Sequence, residues 1–156
     1  MRILFLDQFT ELGGGQLCLL DLAPAVAAAG WEAHAALPGE GPLVARLAAA
    51  GVRVHPLSLG RYSSGRKTVA DAVRFMTDRR VVAAELRILV DRLRPAVVYV
   101  NGPRLMPAVA RADVRCPVIF HAHNRLAGPS GALVRAAVRR SGATVIAASR
   151  FVWGGS

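Results

Sequence analysis

The chain has 156 residues, the size of one ordinary α/β domain. Apolar residues make up 53% and aromatics only 6%, so the core has to be built from Ala, Val, Leu and Ile, which suits helices packed on a parallel sheet. The formal charge of +10 comes almost wholly from arginine and favours anionic partners, whether nucleotide phosphates, nucleic acid or an acidic membrane face; a solvated basic surface is the plainer reading.

Met1-Arg2 leads straight into the apolar run Ile3-Leu4-Phe5-Leu6, which Asp7 interrupts. The run is too brief for a secretory signal and reads as a buried strand. Gly13-Gly14-Gly15 is a loop. Residues 16–29 read as a helix with Leu19, Leu22, Ala23 and Val26 on one face; Pro24 should kink or weaken it, and Gly30 caps its end. Residues 32–37 are a second strand, 42–50 a short helix stopped by Gly51, and 52–56 a third strand. Residues 59–66, rich in Gly, Ser and Arg, form a loop.

Residues 68–76 and 79–93 read as two helices, and 96–100 as a continuous apolar strand. Pro103 opens the next helix. Residues 118–120 are a strand, 133–140 a basic helix, and 144–148 a last strand, with Ser149 as the N-cap of a helix that is just starting when the chain ends. That ending is expected to be a cut inside a larger polypeptide. Charged residues recur throughout, so no stretch qualifies as a membrane span. Cys18 and Cys116 lack metal-pair spacing and sit in apolar runs, so both are expected as buried free thiols in a reducing, cytoplasmic setting.

Strands alternating with helices predict a doubly wound, Rossmann-like parallel sheet, and ligands bind such sheets beyond the carboxyl ends of the strands. Those ends carry Gly13-Gly14-Gly15-Gln16, Asn101-Gly102, His121-Ala122-His123-Asn124-Arg125 and Ser149-Arg150. No Ser, Thr, Asp or Asn immediately precedes the helix after the glycines, so a phosphate can serve as its cap. The alternative is a turn satisfied by water. His121 and His123 lie two apart past a strand end and so share a face. They suit hydrogen bonding or acid/base work on a hydroxylated ligand better than a metal, because no third ligand has matching spacing; the alternative is a solvated loop. His34 and His55 read as structural or surface groups. Arg135, Arg139 and Arg140 read as a solvated helix face.

In order and spacing these segments resemble the N-terminal half of family 4 glycosyltransferases of the GT-B fold. The resemblance rests on the first strand, the Gly-Gly-x-Gln loop, the turn Gly30-Trp31-Glu32, the run Pro95 through Val100 ending at Asn101, the run Val118-Ile119-Phe120-His121, and Thr144 through Ser149. It spans essentially the whole chain. Asn101 and Trp31 stand where the family usually has histidine. The resemblance implies that residues 1–156 form the acceptor-side domain of a retaining enzyme that moves a sugar from a nucleotide-sugar donor to a hydroxylated acceptor, either a sugar or a lipid-linked group. It implies that Gly13, Gly14, Gly15 and Gln16 face the donor diphosphate and that His121 acts at the reacting centre. Asn101, His123, Asn124, Arg125, Ser149 and Arg150 are the candidates for holding the acceptor.

It also implies that a C-terminal donor-binding domain, absent from this chain, completes the enzyme, and that the isolated domain is inactive. No cofactor or metal is implied. A lipid acceptor would bring peripheral contact with an acidic membrane. A nicotinamide-binding oxidoreductase domain is the main alternative, but the second strand ends Ala36-Leu37-Pro38 without the acid that such a site needs. A receiver-type signalling module lacks its acidic cluster. A non-catalytic binding module would share the fold, and nucleic-acid binding has charge alone to support it.

Overall fold

The computed structural model describes residues 1–60 and 69–149. Six strands, β1 (Arg2–Asp7), β2 (Glu32–Leu37), β3 (Arg53–Pro56), β4 (Val97–Asn101), β5 (Val118–Ala122) and β6 (Thr144–Ala147), form one sheet in the order β3-β2-β1-β4-β5-β6. Every pairing is parallel. The helices are α1 (Gly14–Ala28), α2 (Pro42–Ala49), α3 (Val69–Leu93), α4 (Met106–Ala112) and α5 (Gly128–Ser141), with a 3₁₀ turn at Pro103–Leu105 before α4. This is the doubly wound sheet expected from the alternation of elements.

Period-two alternation sends successive strand residues to opposite faces. Leu4, Leu6, Val98, Val100 and Phe120 pack under α3, α4 and α5 against Val82, Leu86, Met106, Val109 and Val134. Phe5, Ala33, Ala35 and Tyr99 pack under α1 and α2 against Leu19, Ala23, Leu43 and Leu47. Leu4, Leu6, Leu43 and Leu47 are wholly buried. Each such leucine is worth roughly 1.5–3 kcal/mol of transfer free energy.

The strand order reverses between β1 and β4, where Asp7 lies opposite Asn101 at the carboxyl ends of the two strands. The chain leaves β1 toward the α1 face and leaves β4 toward α4 on the other face, so a crevice opens between the two connections.

Four details depart from the sequence reading. α3 is one helix where two were expected, running unbroken through Thr77-Asp78, and the Asp78 carboxylate is engaged in tertiary contacts. It accepts a 3.2 Å bond from the Gly60 amide and lies 3.9 Å from Arg104. α1 begins at Gly14, so two of the loop glycines belong to its first turn. α5 begins at Gly128, ahead of the basic run. Cys18 is exposed, since the apolar run 17–20 straddles both faces of α1, while Cys116 is half-buried and burial pushes its thiol pKa up. Pro24 sits inside α1 and cannot donate to the Leu20 carbonyl. Most of the segment expected as a loop over residues 59–66, Arg150 and the chain's last residues lie outside the described residues. Among the described residues no helix is long and apolar enough to cross a membrane.

Candidate functional site at the strand-order reversal

The first turn of α1 stands directly over the crevice. Its N-cap, Gly13, is extended and offers no side-chain bond, and the turn contains no acidic residue. The helix's first amides therefore keep their donors free and carry the positive end of the macrodipole. The three glycines are not equivalent. A Cβ on Gly14 would meet nothing within 4 Å, so the space beside it is open. A Cβ on Gly15 would lie 3.0 Å from Nε2 of His123, so the bare backbone here lets the imidazole approach the helix. A Cβ on Gly13 would come to 3.0 Å from the Gln16 side-chain oxygen.

Beneath this turn lies a buried polar network. Asp7, at the end of β1, is only 1% exposed. Its carboxylate accepts two 3.0 Å bonds from Gln16 Nε2, a 2.9 Å bond from the Phe9 amide and a 2.5 Å bond from Asn101 Nδ2. Burial pushes the Asp7 carboxyl pKa above its ordinary value, against the opposing effect of the bonds from Asn101, Phe9 and Gln16. All of these partners donate, which matches an ionised carboxylate with no proton to give.

Asn101 Nδ2 also donates to the Gly15 carbonyl at 3.0 Å, and its Oδ1 lies 2.7 Å from His123 Nε2. His121 is held separately, with Nδ1 2.6 Å from the Tyr99 hydroxyl. The two imidazoles lie with ring centroids 4.0 Å apart. Burial lowers the pKa of both rings, and the charge of His123 lowers that of His121 further. Both are thereby biased toward neutral imidazoles at neutral pH, able to donate from one nitrogen and accept at the other.

Gly14, Gly15, Gln16, Asn101, His121 and His123 therefore converge on one edge of the sheet. Gln16 and Asn101 are buried members of the network, at 8% and 2% exposure, so their side chains brace the site from below. Asn124 and Arg125 follow on the exposed loop after β5, and Ser149 is exposed beyond β6, where the Ala148 amide bonds to the Ala122 carbonyl. Arg150 lies outside the described residues. The sequence reading did not place Asp7 or Tyr99 in the site. Asp7 was visible as the acid that ends the first strand, and Tyr99 as a hydroxyl two residues before Asn101 on the same face.

His34 and His55 form a second, separate pair on β2 and β3, with rings 5.3 Å apart and stacked, and Nδ1 of His34 3.0 Å from Nε2 of His55. His34 is 2% exposed and His55 is partly exposed on the edge strand β3, so this pair stands apart from the crevice. Among the described residues no group of three His, Cys, Asp or Glu side chains is gathered as a metal site would need.

The family of glycosyl transferase 4-like domains matches residues 13–154. Among solved structures, Anabaena Alr3699/HepE in complex with UDP superposes with a TM-score of 0.70 at 22% identity, covering 99% of this chain and 39% of that one. Acinetobacter baumannii MurG superposes with a TM-score of 0.64 at 16% identity, covering 94% of this chain and 41% of that one. The glycosyltransferase SnogD from Streptomyces nogalater gives a TM-score of 0.59 at 22% identity, covering 94% and 45%. These likenesses establish a shared GT-B-type Rossmann-like fold, and the chain spans less than half the length of each of these proteins. A search of curated proteins gives no match.

Proposed function

The chain belongs to the glycosyl transferase 4-like domain family, and on that premise we propose that it is the acceptor-side half of a retaining enzyme that transfers a sugar from a nucleotide-sugar donor to a hydroxylated acceptor. The observation that carries this reading is the convergence, at one strand-order reversal, of an uncapped helix N-terminus and two histidines. The free amides at Gly14 and Gly15 suit a diphosphate, which they would stabilise as it leaves with the nucleotide. The histidines suit hydroxyl groups, with His121 orienting the acceptor or the transferred sugar. HepE has been crystallised with UDP and with UDP-glucose, which supports a nucleotide-sugar donor here. Asn124, Arg125 and Ser149 stand as the rim that meets the acceptor, and Arg150 is a further candidate by its place in the sequence alone.

A second, donor-binding domain completes the site, so residues 1–156 alone bind nucleotide sugars weakly and turn none over. The protein works in the cytoplasm. Arg135, Arg139 and Arg140 on α5 suit contact with an acidic membrane if the acceptor is lipid-linked.

The test is sugar transfer by a polypeptide that carries both domains, measured for the wild type, His121→Ala and His123→Ala. Loss of a directed bond at the reacting centre should lower turnover by roughly one to three orders of magnitude in His121→Ala. The melting temperature should fall by only a few degrees, because the ring carries few packing contacts and the loss is confined to leaving the Tyr99 hydroxyl without its partner. Unchanged turnover in His121→Ala, or a collapse of stability equal to the loss of activity, would return His121 to a structural role.

A further inference from the structure

Asp7, Asn101 and His123 form an unbroken hydrogen-bonded chain across three strand ends, and its polarity is fixed by chemistry. An ionised Asp7 can only accept, and so can the Gly15 carbonyl. The side-chain amide of Asn101 must therefore turn Nδ2 toward both of them, at 2.5 Å and 3.0 Å. That leaves Oδ1, an acceptor, facing His123 Nε2 at 2.7 Å, so Nε2 must carry the ring proton. A neutral His123 then has its lone pair at Nδ1. At His121 the partner is a phenol: donation from the Tyr99 hydroxyl into Nδ1 at 2.6 Å keeps the buried phenolic proton paired and leaves the His121 proton on Nε2.

We propose that Asp7 is a positioning residue that acts through Asn101 to make the two histidines complementary, His123 accepting at Nδ1 and His121 donating at Nε2, so that together they read a hydroxyl group. A hydroxyl gives one hydrogen bond and takes others, whereas a carboxylate or phosphate oxygen only accepts and is mismatched to the His123 lone pair. The ring centroids lie 4.0 Å apart, and each ring nitrogen is only about 1 Å from its centroid, so the two nitrogens are separated by no more than roughly 6 Å, a span that one small hydroxylated group can bridge with ordinary hydrogen bonds. Gly15 belongs to the same device, since any side chain there would push on the His123 ring. This inference rests on the proposed glycosyl transfer for its ligand class, but its geometry does not depend on turnover. It also accounts for a buried carboxylate that no cation partners among the described salt bridges.

The experiment is histidine-selective 15N NMR of this chain across pH, with the four rings assigned by single His→Gln variants. The groups facing His123 are His121, Asn101 with Asp7 behind it, and the positive end of α1 at Gly15; Arg125 follows two residues along the chain. In the neutral form, His123 and His121 should each be a single tautomer protonated at Nε2, with the His123 N–H protected from solvent exchange. Asp7→Asn removes the charge behind Asn101 and should lower the pH at which His123 titrates by about half a unit or more, leaving His34 and His55 unmoved as a check on the fold. Tyr99→Phe should alter His121 and spare the His123 tautomer.

A wild-type His123 protonated at Nδ1 overturns the proposal without any variant, and so does an Asp7→Asn spectrum in which His123 does not move. In the two-domain enzyme, Asp7→Asn should lower kcat with little change in the KM for the nucleotide sugar. If sugar is transferred but the tautomers are wrong, the relay falls and the reaction stands. If the tautomers are right and no sugar is transferred, the relay stands and the reaction falls.

Discussion

Gly14 and Gly15 are neighbours in the first turn of one helix, and replacing each by alanine should have opposite consequences. Neither has a positive φ, so alanine fits the backbone at both positions and should stabilise by about 0.4–1 kcal/mol through the unfolded chain. At Gly14 nothing within 4 Å opposes that gain. At Gly15 the new methyl group would lie 3.0 Å from His123 Nε2 and 3.1 Å from its Cδ2. Comfortable contact needs roughly 3.5 Å or more, so the ring must retreat by about half an ångström. The His123–Asn101 bond, now 2.7 Å, would stretch to the edge of hydrogen-bonding range and forfeit on the order of 1 kcal/mol. Gly15→Ala should therefore be neutral or destabilising, about 1–2 kcal/mol below Gly14→Ala. Urea unfolding of both variants measures the difference directly. If Gly15→Ala gains as much stability as Gly14→Ala, the close packing of His123 on the helix is wrong and the account of the glycine loop goes with it.

Other perturbations probe the same framework. Asn101→Ala strips a buried carboxylate of one donor and breaks the link to His123, so it should destabilise by about 2–4 kcal/mol in the same assay; a loss below about 0.5 kcal/mol would mean that the network contributes little. His34, His55, His121 and His123 all have pKa values pushed down by burial, so the unfolded chain binds more protons than the folded one at mildly acid pH. Stability should be fully present above the ordinary histidine value of 6.5 and fall as pH drops through the lower folded values; a flat melting temperature from pH 7.5 to 5 would contradict the burial of these rings. If α5 meets an acidic membrane, co-sedimentation with anionic vesicles should weaken as salt rises, and equal pelleting with neutral vesicles would remove that contact.

The order of strands and helices was legible because the central strands are short apolar runs closed by polar residues, as at Leu6-Asp7 and Val100-Asn101. The candidate site was legible as a set of residues standing at strand ends, since the parallel sheet brings all carboxyl ends to one edge. Their mutual roles were not. Asp7 and Asn101 are 94 residues apart, and only the adjacency of β1 and β4 sets them side by side. Gln16 and Asn101 read equally well as ligand contacts until their burial places them beneath the site. The continuity of α3 through Thr77-Asp78 was hidden for a similar reason: the partners that Asp78 meets, Gly60 and Arg104, lie on distant segments of the chain.

We have proposed that this domain supplies the acceptor side of a sugar-transfer site and that a second domain completes it. The most direct measurement is nucleotide release from a nucleotide sugar, with and without a hydroxylated acceptor, for residues 1–156 alone and for a polypeptide extended by the second domain. The short chain should show no turnover, the long one acceptor-dependent release, and changing His121 to Ala in the long one should cost roughly ten- to a thousand-fold. Robust turnover by residues 1–156, or release from the long chain that ignores His121, would contradict the proposal.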